Sequence, residues 1–185
     1  HWREKQLSYS WLLNILGEYC DFWQITENAL DYALESVGLN SDIELKKRLL
    51  NLYKELDAYS EVKSVLSDLN ERNITCAILS NGSKSMLNSA VTNSGVEAYV
   101  NLVLSVDEVK VFKPDSKVYQ MVLDHMHFEI DEVLFISSNG WDIAGASSFG
   151  FKTLWINRLK LPVDRLPFEP DSIGFDLTHI KTFIK

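Results

Sequence analysis

Ile74-Thr75-Cys76-Ala77-Ile78-Leu79 is a short apolar run that ends abruptly in Ser80-Asn81-Gly82, and its reading decides the fold. A run of this length, bounded by turn residues, suits a strand buried on both faces. Helix-period segments flank it: one around residues 61–69, another over residues 83–93 stopped by Gly95. The alternation then continues. Val100-Asn101-Leu102-Val103-Leu104-Ser105 reads as a second strand and residues 116–125 as a helix. Val133-Leu134-Phe135-Ile136 is a third strand, ending in Ser137-Ser138-Asn139. A helix over residues 141–149 stops at Gly150, and Thr153-Leu154-Trp155-Ile156 is a fourth strand. Strands alternating with helices predict an α/β fold with a doubly wound parallel sheet, covered on both faces.

The residues ahead of this core follow a different grammar. Leu7, Trp11, Leu12 and Ile15 recur at three- and four-residue steps, and Gly17 stands where that helix would stop. A second helix is expected from Thr26, as N-cap, to Val37, and a third after Ser41 through Ile43, Leu45, Leu49, Leu50 and Tyr53. The division predicted is a helical module over residues 1–56 and an α/β core over residues 57–185. Residues 161–170 read as a proline-containing surface loop, and residues 175–184 as a short closing segment.

Composition narrows the function. The chain has 185 residues, 46% hydrophobic and 24% charged, which suits one globular domain with a small insert. Its net charge of −8 repels phosphate backbones, so a nucleic-acid partner is not expected. No apolar run is long enough to span a membrane. Cys20 and Cys76 lie far apart, form no ligand cluster and fit a reducing, cytoplasmic setting.

In sheets of this kind ligands bind at the carboxyl ends of the strands, and the polar residues collect there. Ser80 and Asn81 end the first strand, Lys113 follows the second, and Ser137, Ser138, Asn139 and Asp142 follow the third. Hydroxyls, amides, one lysine and one acid suit a small anionic substrate. A helix N-terminus near Ser83 would favour the same charge. Each group also has a plainer reading. Ser80-Asn81-Gly82 could be a turn and cap, Lys113-Pro114-Asp115 a solvated turn, and Asp142 a helix cap.

The order Ile78-Leu79-Ser80-Asn81-Gly82, Leu104-Ser105-Val106-Asp107-Glu108-Val109, Phe112-Lys113-Pro114-Asp115 and Phe135-Ile136-Ser137-Ser138-Asn139-Gly140-Trp141-Asp142 resembles the haloacid dehalogenase superfamily. Within it the resemblance is to the L-2-haloacid dehalogenases, and it includes Trp2-Arg3-Glu4-Lys5-Gln6-Leu7 and Trp155-Ile156-Asn157-Arg158. It implies a Rossmann-like core with an inserted helical cap. It also implies an aspartate that attacks C2 of a 2-haloalkanoate and displaces halide with inversion. Water then hydrolyses the aspartyl ester.

Residue by residue, the resemblance assigns Arg3 and Asn81 to the halide and Ser80 to the substrate carboxylate. Lys113 matches the lysine that keeps the nucleophile ionised, and Tyr119 a tyrosine near it. Ser137, Asn139 and Asp142 match the group that positions nucleophile, lysine and water. Leu7, Phe22 and Trp141 match the apolar pocket wall. Glu4 and Gly140 depart from the usual glutamine and alanine. No cofactor is implied, and relatives of this kind commonly form homodimers through cap helices.

Two alternatives remain open at this stage. A Mg²⁺-dependent phosphatase of the same superfamily would carry an acid where Ser138 stands. A non-catalytic fragment or binding domain is the other. The family's nucleophile sits on a strand that precedes the cap, so the resemblance places it upstream of His1. The sequence is therefore expected to be N-terminally truncated and inactive as it stands. A gap or collapsed pairing is expected in mid-sheet, where that strand would lie.

Overall fold

The computed structural model describes residues 1–53, 55 and 57–184. Leu56, the expected module boundary, and Lys185 lie outside the described residues. The chain forms two compact units, each discontinuous in sequence: His1–Ala58 with Ala77–Phe112, and Tyr59–Cys76 with Lys113–Lys185.

In the first unit α1 (Trp2–Leu16) packs on α2 (Phe22–Ser36), and α2 meets α3 (Ile43–Leu52). Gly17 ends α1 in the left-handed conformation, where a Cβ is costly. The second helix starts earlier than expected. Asp21, not Thr26, is its N-cap, and its carboxylate accepts from the Gln24 N–H at 2.9 Å. Thr26 is fully buried instead, bonding back to the Phe22 carbonyl. It also belongs to a dry polar chain. Gln6 Nε2 donates to Thr26 Oγ1 at 2.6 Å, and the Tyr53 hydroxyl donates to Gln6 Oε1 at 2.8 Å. Both ends of the buried amide are thus satisfied, which a packed helix interface requires.

The same unit holds β1 (Ala77–Ser80), α5 (Lys84–Ser94) and β2 (Leu102–Ser105). The strands pair in parallel, Ala77 opposite Leu102 and Ser80 opposite Ser105. Strand β1 begins later than the apolar run. The Ile74 N–H bonds back to the Leu69 carbonyl, and Asn73 turns at a φ of 59°. Those residues close a helix before the ladder starts. Asn14 ties α1 to the loop after β2: its side chain donates to the Phe112 carbonyl at 2.7 Å and accepts from the Phe112 N–H at 2.8 Å.

The second unit contains α4 (Val62–Glu71), α6 (Ser116–Met126), β3 (Leu134–Ser137), α7 (Gly140–Phe149) and β4 (Lys152–Ile156). A fifth strand, β5 (Ser172–Gly174), was not legible, because three residues after a proline cannot display a period. Strands β3, β4 and β5 lie side by side in that order, all parallel. Among the described residues β1 and β3 each have a ladder partner on one edge only. Side chains alternate along β3. Leu134 and Ile136 pack on a core of Val65, Leu69, Leu154, Ile156 and Ile180. Phe135 and Ser137 face the other way, toward α6 and α7. No helix among the described residues is long and apolar enough to cross a membrane.

Where α4 begins, Glu61 pairs with the Arg158 guanidinium and accepts from the Leu177 N–H at 3.4 Å. Arg158 lies 3.7 Å above the Tyr59 ring. Burial pushes the Glu61 carboxyl up, but the Arg158 hydrogen bond and the backbone N–H donors outweigh it, and the group sits below its ordinary value of 4.5. A lowered folded value means that the contribution is complete above pH 4.5 and is lost as pH falls through the folded value. Glu61→Gln should therefore cost about 1 kcal/mol at neutral pH, and less in acid, by urea midpoints measured across pH. A penalty that does not shrink in acid would remove Glu61 from the acid response.

Candidate active site

The end of β3 builds the densest polar cluster. Asn139 caps α7 with extended backbone, and Asp142 follows in the first turn, where the helix dipole favours a carboxylate. Asp142 is only 4% exposed, and three side chains donate to it. Lys113 Nζ lies 3.0 Å from Oδ2, Ser137 Oγ 3.0 Å from Oδ2, and the Tyr119 hydroxyl 2.9 Å from Oδ1. Ser137 Oγ in turn accepts from the Asn139 N–H at 3.1 Å, which fixes the direction of its hydroxyl proton. Asp142 is therefore not merely a cap: its oxygens are taken by side chains.

The environment sets the charges. Burial pushes the Lys113 ammonium below the usual lysine range, while the Asp142 carboxylate pulls it back up. Burial, then Asp142, push the Tyr119 phenol well above its ordinary range, so it serves as a neutral donor. Lys113 Nζ also lies 4.8 Å above the centroid of the Phe135 ring. Asp115 caps α6 through the Lys117 N–H, so it belongs to the scaffold rather than to a solvated turn. Trp141 is half-buried on α7 beside Asp142.

In the first unit, Ser80 Oγ accepts from the Gly82 N–H at 3.0 Å, and Ser105 Oγ donates to the Gly82 carbonyl at 2.7 Å. The turn after β1 is thereby held from both strands, with Asn81 buried within it. At the N-terminus of α5 one backbone donor is already taken. The Asp107 carboxylate already accepts from the Lys84 N–H at 3.1 Å, and its other oxygen takes the Tyr19 hydroxyl at 2.6 Å. Arg3 and Leu7 stand one turn apart on α1, Arg3 exposed and Leu7 half-buried. Phe22, at the start of α2, is buried with its ring 6.0 Å from that of Phe112.

Within the second unit the structure brings Lys113, Tyr119, Ser137, Asn139 and Asp142 into one hydrogen-bonded cluster. Sequence reading missed two residues that hold them. A Cβ built on Gly145 would meet Pro114 Cβ at 2.6 Å and collide with the Tyr119 hydroxyl. A lone glycine inside a helical pattern is the available signal for such a close approach. Phe135 gave no signal, because an apolar residue in an apolar strand reads as core.

The haloacid dehalogenase-like hydrolase family model matches residues 6–150. The (S)-2-haloacid dehalogenase 1 of Pseudomonas sp. strain CBS-3 is 47% identical over 161 residues, covering 87% of this chain and 71% of that protein. The (S)-2-haloacid dehalogenase 4A of Burkholderia cepacia is 43% identical over 85% of this chain and 68% of its own length. Among solved structures, the L-2-haloacid dehalogenase of Xanthobacter autotrophicus with chloropropionic acid covalently bound superposes with a TM-score of 0.87 at 33% identity. That match covers 100% of this chain and 85% of the other. On sequence and fold together, the chain belongs to the haloacid dehalogenase-like hydrolases, in their (S)-2-haloacid dehalogenase family.

Proposed function

We propose that the protein hydrolyses (S)-2-haloalkanoic acids to (R)-2-hydroxyalkanoic acids through an aspartyl ester. A carboxylate oxygen attacks C2, the carbon–halogen bond breaks, and halide leaves with the bonding pair. Water then adds to the ester carbonyl of the aspartate, and the hydroxy acid, a proton and the regenerated carboxylate follow. The observation that carries this reading is the buried Lys113–Asp142 pair with Ser137 and Tyr119 on the same carboxylate. An ammonium held in a dry site keeps a nearby carboxylate ionised and ready to attack.

The remaining roles follow the family motifs. Arg3 and Asn81 receive the departing halide, Arg3 through a fixed charge and five donors. Ser80 contacts the substrate carboxylate, and Leu7, Phe22 and Trp141 wall its side chain. Ser137, Asn139 and Asp142 order the lysine and the hydrolytic water. Among the described residues Cys20 and Cys76 form no disulfide, which fits a cytoplasmic enzyme. Exposed Ile15, Leu16 and Ile43 on the cap helices suit a homodimer contact.

The test is halide release from (S)-2-chloropropionate. Release above a no-enzyme control is the expected result for the full-length protein. In the full-length protein Lys113→Ala should lower turnover about a hundredfold or more. Unchanged turnover in the variant would remove Lys113 from the mechanism. Hydrolysis of p-nitrophenyl phosphate with Mg²⁺ in place of halide release would overturn the reading.

A further inference from the structure

We propose that Phe135 is a positioning residue: the face of its ring holds the Lys113 ammonium alongside the Asp142 carboxylate, fixing where the cation sits. The geometry comes from a single strand face. Phe135 and Ser137 are two residues apart on β3 and so project to the same side. Ser137 binds the Asp142 oxygen that also receives Lys113, while the Phe135 ring lies under Lys113 itself at 4.8 Å. One strand face thus touches both members of the ion pair. The ring is locked in turn: Tyr119 meets it edge-on at 5.6 Å, and Phe151 stacks parallel at 6.2 Å.

The chemistry favours a ring there. Lys113 is 5% exposed, so water solvates little of its charge. An aromatic face attracts a desolvated cation through its quadrupole without adding net charge. A second carboxylate would hold the ammonium too, but it would repel an anionic substrate and an ionised nucleophile. Among the groups around Lys113 are the Asp142 carboxylate from α7 and the Tyr119 ring from α6, its centroid 6.0 Å away, and the Tyr119 phenol stays neutral. The Phe135 ring is thus a contact to the ammonium that adds no net charge. The role in the reaction rests on the function proposed above; the grip on the lysine does not.

The test separates quadrupole from packing. Phe135 is replaced by 4-fluoro-, trifluoro- and pentafluorophenylalanine, which nearly preserve shape while progressively weakening the negative ring face. Lys113 is then followed by the Cε resonance of labelled lysine across pH in the full chain. The acid dissociation constant of Lys113 should rise stepwise, by about tenfold at pentafluoro, so that the ammonium loses its proton at lower pH. Phe135→Tyr, which keeps the ring face, should retain the native titration. Where Phe135→Leu folds, it should behave like the pentafluoro protein. A titration that ignores fluorination would overturn the proposal, even if Phe135→Leu is inactive, because packing alone would then explain the loss. In the full-length enzyme the alkaline limb of dehalogenation should move to lower pH in the same order. Titration shifts without halide release from the full-length enzyme carrying the native Phe135 would overturn the dehalogenase reading and leave the ring's role standing.

Discussion

Asp142→Ala is expected to destabilise the protein by about 3–5 kcal/mol, because it strands the Lys113 ammonium in a buried site with its carboxylate gone. The penalty has a pH signature. Lys113 already sits below its ordinary value of 10.5 when folded, and removing Asp142 pushes it lower. The unfolded chain then binds more protons than the folded one between the two values. Stability of the variant should accordingly climb as pH rises toward 10.5, relative to the unsubstituted protein. Adding Lys113→Met should restore most of the loss, since an apolar pair of similar volume removes both charges together. Urea midpoints for the two single variants and the double variant, each at several pH values, measure all of this. A loss that is flat with pH, or that Lys113→Met fails to relieve, would mean that Asp142 acts through packing.

Gly145→Ala should cost about 2 kcal/mol, although alanine favours helix by about 1 kcal/mol over glycine in general. The new methyl group would enter space held by Pro114 Cβ and the Tyr119 hydroxyl, and Tyr119 is fully buried. Either the helix backs away or the phenol leaves Asp142. Tyr119→Phe removes the oxygen in conflict, so the double variant should lose less than the sum of the two single ones. A neutral or stabilising Gly145→Ala, measured by thermal and urea unfolding, would show that α7 has slack at this point.

How far the residues could be read depends on the kind of signal each one leaves. The parallel strands and the helices between them announce themselves as apolar runs closed by Ser-Asn and Gly. Lys113, Ser137 and Asp142 were legible because polar residues at successive strand ends are costly unless used. The starts of elements were less legible. Thr26 and Asp21 are both good caps, and only packing decides that Thr26 is buried against Gln6. Ile74 and Cys76 are apolar because they join the core around Val65 and Leu69, not because they belong to the ladder. The helix terminus at Ser83 reads as an anion site, and the sequence does not show that Asp107, distant along the chain, already takes its Lys84 N–H. Phe135 marks the limit of such reading: its apolar character is ordinary, and its use depends on which atom lies above the ring.

The alternation along β3 has a consequence for how this segment tolerates change over generations. Leu134 and Ile136 answer to volume, so a substitution there can be compensated by a neighbour in the shared core, and such positions drift in pairs. Phe135 and Ser137 answer to the charge distribution around one lysine and one aspartate, for which no neighbouring change in bulk compensates. Within four consecutive residues, permissive and unforgiving positions are interleaved like the teeth of two combs. A variant library spanning this strand would divide by odd and even residue number rather than by distance from its end.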